Sequence, residues 1–132
     1  MIHLFVPYEL AVKLKEKGFS DRCLAYFSDG LINYTLAFQT DVTDKIILAP
    51  LYQQVIDWFR ETHNLVINVY ANASGYCFEF HDSAKRGGSH RYDSDMTGPN
   101  DSGCWDEYYD AKQASIEEAI NHISNCPSPY NP

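Results

Sequence analysis

Three residue types that can bind a metal or transfer protons stand at alternate positions near the middle of the chain: Cys77, Glu79 and His81. Their neighbours alternate in polarity, which predicts a β-strand with these three side chains on one face. Thiolate, imidazole and carboxylate are zinc ligands and can also act as nucleophile, base or acid. Positions i and i+4 of a strand lie about 13 Å apart. One ion cannot reach all three, although a pair with His90 could, and an ordinary half-exposed sheet face is the simpler interpretation.

The polar segment from Asp93 to Cys104 partly matches a calcium-binding loop. Acids stand at its first, third and ninth positions and glycine at its sixth, as in such loops. Thr97 is a poor fifth ligand, cysteine replaces the bidentate glutamate at the twelfth position, and no good helix precedes the segment. A plain polar loop fits better, so we predict no metal and no cofactor.

No nucleophile elbow, P-loop, dinucleotide-binding glycine motif or HExxH motif occurs in the chain. Cys77 or Cys104 could form a nucleophile–base pair with a histidine, but nothing in the spacing brings them together. Adjacent carboxylates on a helix, such as Asp106 and Glu107, point about 100° apart and indicate surface charge. The sequence therefore argues against an enzyme more than for one, and it assigns no catalytic residue.

The formal net charge of −8 is concentrated in the C-terminal third. Residues 1–92 carry ten acids and nine bases, whereas residues 93–132 carry eight acids and one base, a net of −7. This asymmetry repels nucleic acid and favours a basic protein partner, although a solvated face that only aids solubility is the alternative. The candidate partner-binding residues are Asp93, Asp95, Asp101, Asp106, Glu107 and Asp110.

The only cations that cluster beside an aromatic residue are Lys85, Arg86 and Arg91, near Tyr92. A flexible basic segment of this kind could contact a phosphate backbone. Three cations next to a strongly acidic region make a weak nucleic-acid site. A solvated hairpin tip is the better interpretation.

The composition predicts one ordinary domain, because 132 residues with 45% hydrophobic and 14% aromatic content can bury a core. We assign residues 1–126 to a single α+β domain, within which the glycine-rich residues 85–103 form a flexible loop. Residues 127–132 form an extended, proline-rich tail.

The location is predicted to be cytoplasmic, because the first residues lack the features of a signal peptide. No apolar run approaches the roughly 20 residues that a membrane span needs. A cytoplasmic chain has reduced thiols, and no CxxC spacing occurs. We therefore expect free cysteines at all four positions: Cys23, Cys77, Cys104 and Cys126.

An amphipathic helix from Pro50 to Asn64 is the strongest structural pattern. Its apolar side chains fall within a sector of roughly 160°, and polar side chains fill the opposite sector. Proline suits a helix start, and asparagine suits the left-handed conformation at a helix end. Trp58 and Phe59 are expected in the core.

The other elements follow from periodicity and turn residues. We predict a helix over residues 7–17, a hairpin of strands 22–27 and 31–38, and a short strand over 45–49. A second hairpin of strands 65–71 and 76–81, with possible pairing of 89–92, precedes a last helix over 106–124. The order α-β-β-β-α-β-β-α predicts a two-layer α+β fold with three helices on a largely antiparallel sheet of about 4–5 strands.

Three parts of the chain, Val6–Phe19, Ala49–Glu61 and Tyr108–Ala111 with Ser115–Ile120, resemble a known family. Its members are small uncharacterised proteins of phages and prophage-like mobile elements of gut (Bacteroides-type) bacteria. The resemblance implies an accessory role in a phage or mobile element, and it carries over no activity and no site residue.

These observations predict a non-enzymatic accessory protein that binds a protein partner through an acidic C-terminal surface. The alternative is a small enzyme, or a metal- or ligand-binding protein, that uses the face of Cys77, Glu79 and His81. A third option is a homodimer through an exposed sheet face or edge.

Overall fold

A computed structural model describes residues 2–34, 46–82, 90–93 and 98–125. The helices and strands in chain order are α1 (Tyr8–Glu16), β1 (Ala25–Ser28), β2 (Leu31–Tyr34), β3 (Ile46–Leu48), α2 (Tyr52–His63), β4 (Leu65–Asn72), β5 (Gly75–Asp82), β6 (His90–Asp93) and α3 (Tyr108–Asn125). The α+β class and the element order predicted from the sequence are confirmed. Predictions for residues 35–45, 83–89, 94–97 and 126–132 lie outside the described residues.

The described strands form two antiparallel sheets of three strands, with the orders β2-β1-β3 and β4-β5-β6, where the sequence suggested one sheet. The physical reason is that each hairpin gains its third strand from the chain that follows it. β3 returns onto β1, and β6 returns onto β5 over residues 90–93. The chain divides into two compact units, residues 1–55 and 56–132, and the assignment of one domain over residues 1–126 stays a prediction.

In the first unit α1 packs against β3, and three of its residues are buried: Leu10, Ala11 and Leu14. α2 starts two residues later than predicted, because the chain before it is extended and paired. The Val6 N–H donates to the Pro50 carbonyl at 3.0 Å, and an antiparallel bridge pairs Phe5 with Leu51. Asn64 ends α2 with a φ of 55°, the left-handed conformation expected there.

The second unit is built on the hairpin of β4 and β5, whose register runs without interruption from Leu65 opposite Asp82 to Asn72 opposite Gly75. Phe78 and Phe80 are buried on the face of β5 that packs against α3. α3 contributes a buried apolar stripe: Ala111, Ile116, Ala119 and Ile120. Trp58 and Phe59 are also buried, as predicted. Among the described residues, no helix is long and apolar enough to cross a bilayer.

Candidate partner-binding surface

The segment before α3 is tied to β5 by backbone pairing and by a disulfide. The Tyr76 N–H donates to the Trp105 carbonyl at 2.7 Å, and the Trp105 N–H donates to the Tyr76 carbonyl at 2.9 Å. The next residue of β5, Cys77, forms a disulfide with Cys104. The prediction of free cysteines is wrong for this pair, because the strand-like pairing at Tyr76 places side by side two cysteines that are 27 residues apart.

The side chain of Asn100 connects this segment to the turn between β4 and β5. Its Nδ2 donates to the Ser74 carbonyl at 2.8 Å and to Asp106 Oδ1 at 2.8 Å. Its backbone N–H donates to the Cys104 carbonyl, and its carbonyl accepts from the Gly103 N–H. Residues 98–106 are therefore held by a hydrogen-bond network. Sequence reasoning assigned Asn100 no role, and its only signal was that asparagine is a common turn residue.

Gly75 permits this close approach of the two segments. Its φ of +119° lies in a region that L side chains rarely adopt. A Cβ atom at this position would overlap the Trp105 carbonyl oxygen and lie 3.1 Å from Asn100 Nδ2. The turn therefore supplies a bare backbone surface, against which the segment before α3 packs.

Four of the six acids predicted to bind a partner are described with their side chains, and all four are exposed: Asp101, Asp106, Glu107 and Asp110. We call these four residues the acidic surface. Asp106 and Glu107 immediately precede α3 and Asp110 lies in its first turn, where carboxylates interact favourably with the positive end of the helix dipole. Asp101 lies seven residues before the helix. For Asp93, in β6, the structure describes the backbone but not the side chain, and Asp95 lies outside the described residues.

Lys112, the only Lys or Arg of residues 93–132, packs its ammonium group against aromatic rings. Its Nζ lies 4.7 Å from the centre of the Tyr108 ring and 5.9 Å from that of Tyr109. This cation–π geometry explains how a lysine fits beside the apolar stripe of α3. Within the described ranges, no cation forms an ion pair with the acidic surface.

The face of Cys77, Glu79 and His81 does not converge on a metal site. Cys77 is buried and held in the disulfide, so it supplies neither a thiolate ligand nor a nucleophile. His81 Nε2 lies 3.9 Å from Glu79 Oε1, and Asn68 Nδ2 donates to the same oxygen at 3.4 Å. The described residues contain no group of three or more His, Cys, Asp or Glu side chains arranged to hold a metal ion.

A buried acid–imidazole pair lies on the opposite face of β5. His122 Nε2 is 2.9 Å from Asp82 Oδ2, and the two side chains are 8% and 12% exposed. The Phe80 ring packs against the imidazole at 5.6 Å. The pair joins the end of β5 to α3. The sequence analysis does not predict this pair, because the predicted strand ends at residue 81 and no local pattern relates Asp82 to a histidine 40 residues away.

The one described free cysteine, Cys23, is unsuited to nucleophilic chemistry. Burial raises the pKa of its thiol to about 12, with a smaller contribution from the charge of Asp21 and a hydrogen bond from Gln54 that opposes the rise. Its Sγ donates to the Asp21 carbonyl at 3.2 Å. A thiol with so high a pKa is almost entirely protonated at neutral pH.

No protein-family model, no curated protein and no solved structure matches this chain. The resemblance to proteins of phages and mobile elements therefore stays a prediction from the sequence. The acidic surface is exposed, and the segment that leads to it is tied to β5 by the disulfide and the Asn100 hydrogen bonds.

Proposed function

We propose that this chain is a non-enzymatic accessory protein of a phage or mobile element that binds a basic protein partner through the acidic surface. One observation carries the proposal: four exposed carboxylates, within the range Asp101–Asp110, sit on a segment that the disulfide and the Asn100 network fix to β5. A fixed segment loses little conformational entropy when a partner binds it.

Charge complementarity sets the expected character of the complex. A cluster of like charges steers an oppositely charged partner towards it and raises the association rate more than it raises affinity. Since exposed charges are screened by salt, binding should weaken as ionic strength rises. A partner with lysine or arginine on its contact surface fits this chemistry, whereas nucleic acid is repelled.

The enzyme alternative lacks a favourable observation. Cys77 is bound in the disulfide, and the remaining pair of that face, Glu79 and His81, is 3.9 Å apart and partly exposed. Such a pair is an ordinary feature of a sheet surface. We therefore propose the binding function alone.

Capture from host lysate at low and moderate salt tests the proposal with two variants of equal net charge. The first neutralises the acidic surface: Asp101→Asn, Asp106→Asn, Glu107→Gln and Asp110→Asn. The matched control neutralises four exposed acids elsewhere: Glu9→Gln, Glu16→Gln, Asp29→Asn and Glu61→Gln. Circular dichroism confirms that both variants fold.

We expect one partner that the wild type and the control retain and the acidic-surface variant loses. Equal loss in both variants would point to attraction by net charge alone. Capture of nothing under either salt condition, or equal retention by all three chains, would contradict the proposal.

The cytoplasmic location predicted from the sequence stays part of this proposal. A disulfide is unusual there, because glutathione and thioredoxin keep cytosolic thiols reduced. Trapping thiols in intact cells with an alkylating agent, followed by non-reducing electrophoresis, tests the location. Reduced Cys77 and Cys104 would support the cytoplasmic location, and an oxidised pair, as in the structure, would contradict it.

A further inference from the structure

Three tyrosines meet where β5 and α3 begin, and we call them the tyrosine cluster: Tyr76, Tyr108 and Tyr109. The centre of the Tyr108 ring lies 5.5 Å from that of Tyr76 and 5.2 Å from that of Tyr109, both in edge-to-face geometry. All three residues are half-buried, so part of each stays accessible to solvent. The backbone of Tyr76 is in turn paired with Trp105, so the cluster is held by a strand as well as by a helix.

The tyrosine cluster already holds a cation. Lys112 Nζ lies 4.7 Å from the centre of the Tyr108 ring, within the roughly 6 Å over which a ring face attracts a positive charge. Among the described residues, no carboxylate forms an ion pair with this ammonium group. The contact shows that the face of the Tyr108 ring has room for a positively charged group.

Lys112 can leave this position without disturbing the fold. It follows Tyr108 by four residues on the helix, so the contact between them is local. The residue is half-buried, and its ammonium group is strongly hydrated and carried on a flexible stem. Rotation of the stem into water would uncover the ring and leave the backbone of α3 unchanged.

We propose, on the basis of the proposed function, that the face of the Tyr108 ring is the docking position for an arginine side chain of the basic partner, which displaces Lys112. A guanidinium is planar and weakly hydrated, so it stacks on an aromatic ring better than an ammonium group does. A partner lysine would only exchange one ammonium group for another. It would also compete with Lys112, which is tethered beside the ring and therefore present at high effective concentration.

Carboxylates next to the ring supply the second part of the contact. Asp106 and Glu107 directly precede Tyr108 in the chain, and both are exposed. Asp106 is fixed in place, because its Oδ1 accepts a hydrogen bond from Asn100 Nδ2 at 2.8 Å. A carboxylate has two oxygens, so the other one can accept from the N–H groups of a guanidinium. A ring face beside a fixed carboxylate favours arginine over lysine, because only arginine combines stacking with a fork of donors.

Two peptides of equal charge, hexa-arginine and hexa-lysine, separate this proposal from the proposed function. Both are attracted by the acidic surface, so the variant that neutralises its four carboxylates should bind both more weakly than the wild type does. The proposal concerns the preference between the two peptides. Isothermal titration calorimetry at low salt should show that the wild type binds hexa-arginine roughly threefold to tenfold more tightly than hexa-lysine.

Substitutions of Tyr108 test the source of that preference. Tyr108→Leu should remove it and leave the affinity for hexa-lysine unchanged, whereas Tyr108→Phe, which keeps a ring, should retain it. The same preference in the wild type and in Tyr108→Leu would overturn the proposal, and the acidic surface would be unaffected by that result. Equal binding of both peptides by the acidic-surface variant and the wild type would instead contradict the proposed function.

The displacement of Lys112 has a matched control. Lys112→Gln uncovers the ring and should raise the affinity for hexa-arginine roughly twofold to fivefold. Lys13→Gln removes the same charge from an exposed lysine of α1, and it should raise the affinity less. Equal effects of the two substitutions would show that only net charge matters, and would overturn the displacement.

Nuclear magnetic resonance of the wild type follows the displacement without any substitution, so it decides the matter if Tyr108→Leu does not fold. The ε-methylene protons of Lys112 lie over the ring and are shielded by its ring current. Addition of hexa-arginine should move their resonance towards that of a solvated lysine, and hexa-lysine should move it less. A resonance that does not respond to hexa-arginine, or that responds equally to both peptides, would overturn the proposal.

Discussion

His122 Nε2 and Asp82 Oδ2 lie 2.9 Å apart between α3 and the end of β5, in side chains that are about nine-tenths buried. The same strand carries a second acid–imidazole pair, His81 and Glu79, at 3.9 Å and with side chains 37% and 19% exposed. Each pair joins a carboxylate to an imidazole, but the two pairs differ in distance and solvent access. Comparing the two pairs within one protein therefore shows how much burial adds to the energy of an acid–imidazole contact.

We predict a coupling energy of about 1–3 kcal/mol between Asp82 and His122, the range for a buried hydrogen bond that involves a charged group. A double-mutant cycle of Asp82→Ala and His122→Ala, measured by urea unfolding, gives this energy. The same cycle with Glu79→Ala and His81→Ala should give about 0.5 kcal/mol or less, because water competes for exposed partners. Equal coupling energies in the two cycles would contradict this account of the pair.

The Cys77–Cys104 disulfide should contribute about 3–4 kcal/mol to the free energy of unfolding, the value expected when a cross-link closes a loop of this length. Replacing both cysteines by serine should lower the free energy of unfolding by this amount, and urea unfolding should show a lower midpoint concentration. The serine variant is also its own control, because a dithiol reductant should lower the midpoint of the wild type and leave the variant unchanged. A wild-type midpoint that does not respond to the reductant would show that the disulfide is absent in solution.

Local patterns were enough to predict most of the elements. Alternating polarity and the turn residues 72–75 between the strands indicate the β4–β5 hairpin, and Asn64, which adopts a φ of 55°, indicates the end of α2. Each of these features depends on residues close in sequence. The start of α2 was misplaced because Leu51 pairs with Phe5, a partner that no local pattern reveals.

The contacts that hold the candidate site could not be predicted from local patterns, because they join residues far apart in the sequence. The disulfide joins cysteines 27 residues apart, Asn100 reaches Ser74 across 26 positions, and His122 meets Asp82 across 40. Each contact depends on how the segment before α3 and α3 itself fold back onto β5. The acidic surface, in contrast, could be predicted, because the excess of acids over bases in the C-terminal third is counted directly from the sequence.

Gly75→Ala should destabilise the protein more than Gly30→Ala does. Both glycines have a positive φ, at +119° and +77°, so each substitution introduces backbone strain. Only at position 75 does a Cβ atom also meet the Trp105 carbonyl, whereas nothing lies within 4 Å at position 30. The extra loss should be about 1–3 kcal/mol, as for other overpacked sites. Urea unfolding measures both losses, and equal values would show that the Trp105 segment moves aside without penalty.

His63 should make the stability of the protein depend on pH in the weakly acidic range. Burial lowers the pKa of its imidazole below the ordinary value of 6.5, and its Nε2 is buried with no hydrogen-bond partner among the described residues. Its ring packs against Trp58 at 4.9 Å and Phe59 at 5.9 Å. The unfolded chain therefore binds a proton below pH 6.5 that the folded chain does not bind. As a result, the free energy of unfolding falls as the pH drops through 6.5 towards the pKa of the folded state.

The variant His63→Phe keeps an aromatic ring beside Trp58 and removes the titrating group. Between pH 6.5 and the folded pKa, the wild type should lose stability more steeply than the variant as the pH falls, because only the wild type takes up a proton at position 63 on unfolding. Between about pH 7 and 8 the two curves should run parallel, because His63 is then neutral in both states. Urea unfolding at a series of pH values measures both curves. Parallel curves over the whole range would show that His63 is protonated equally in the folded and unfolded states, and that its burial has no energetic consequence.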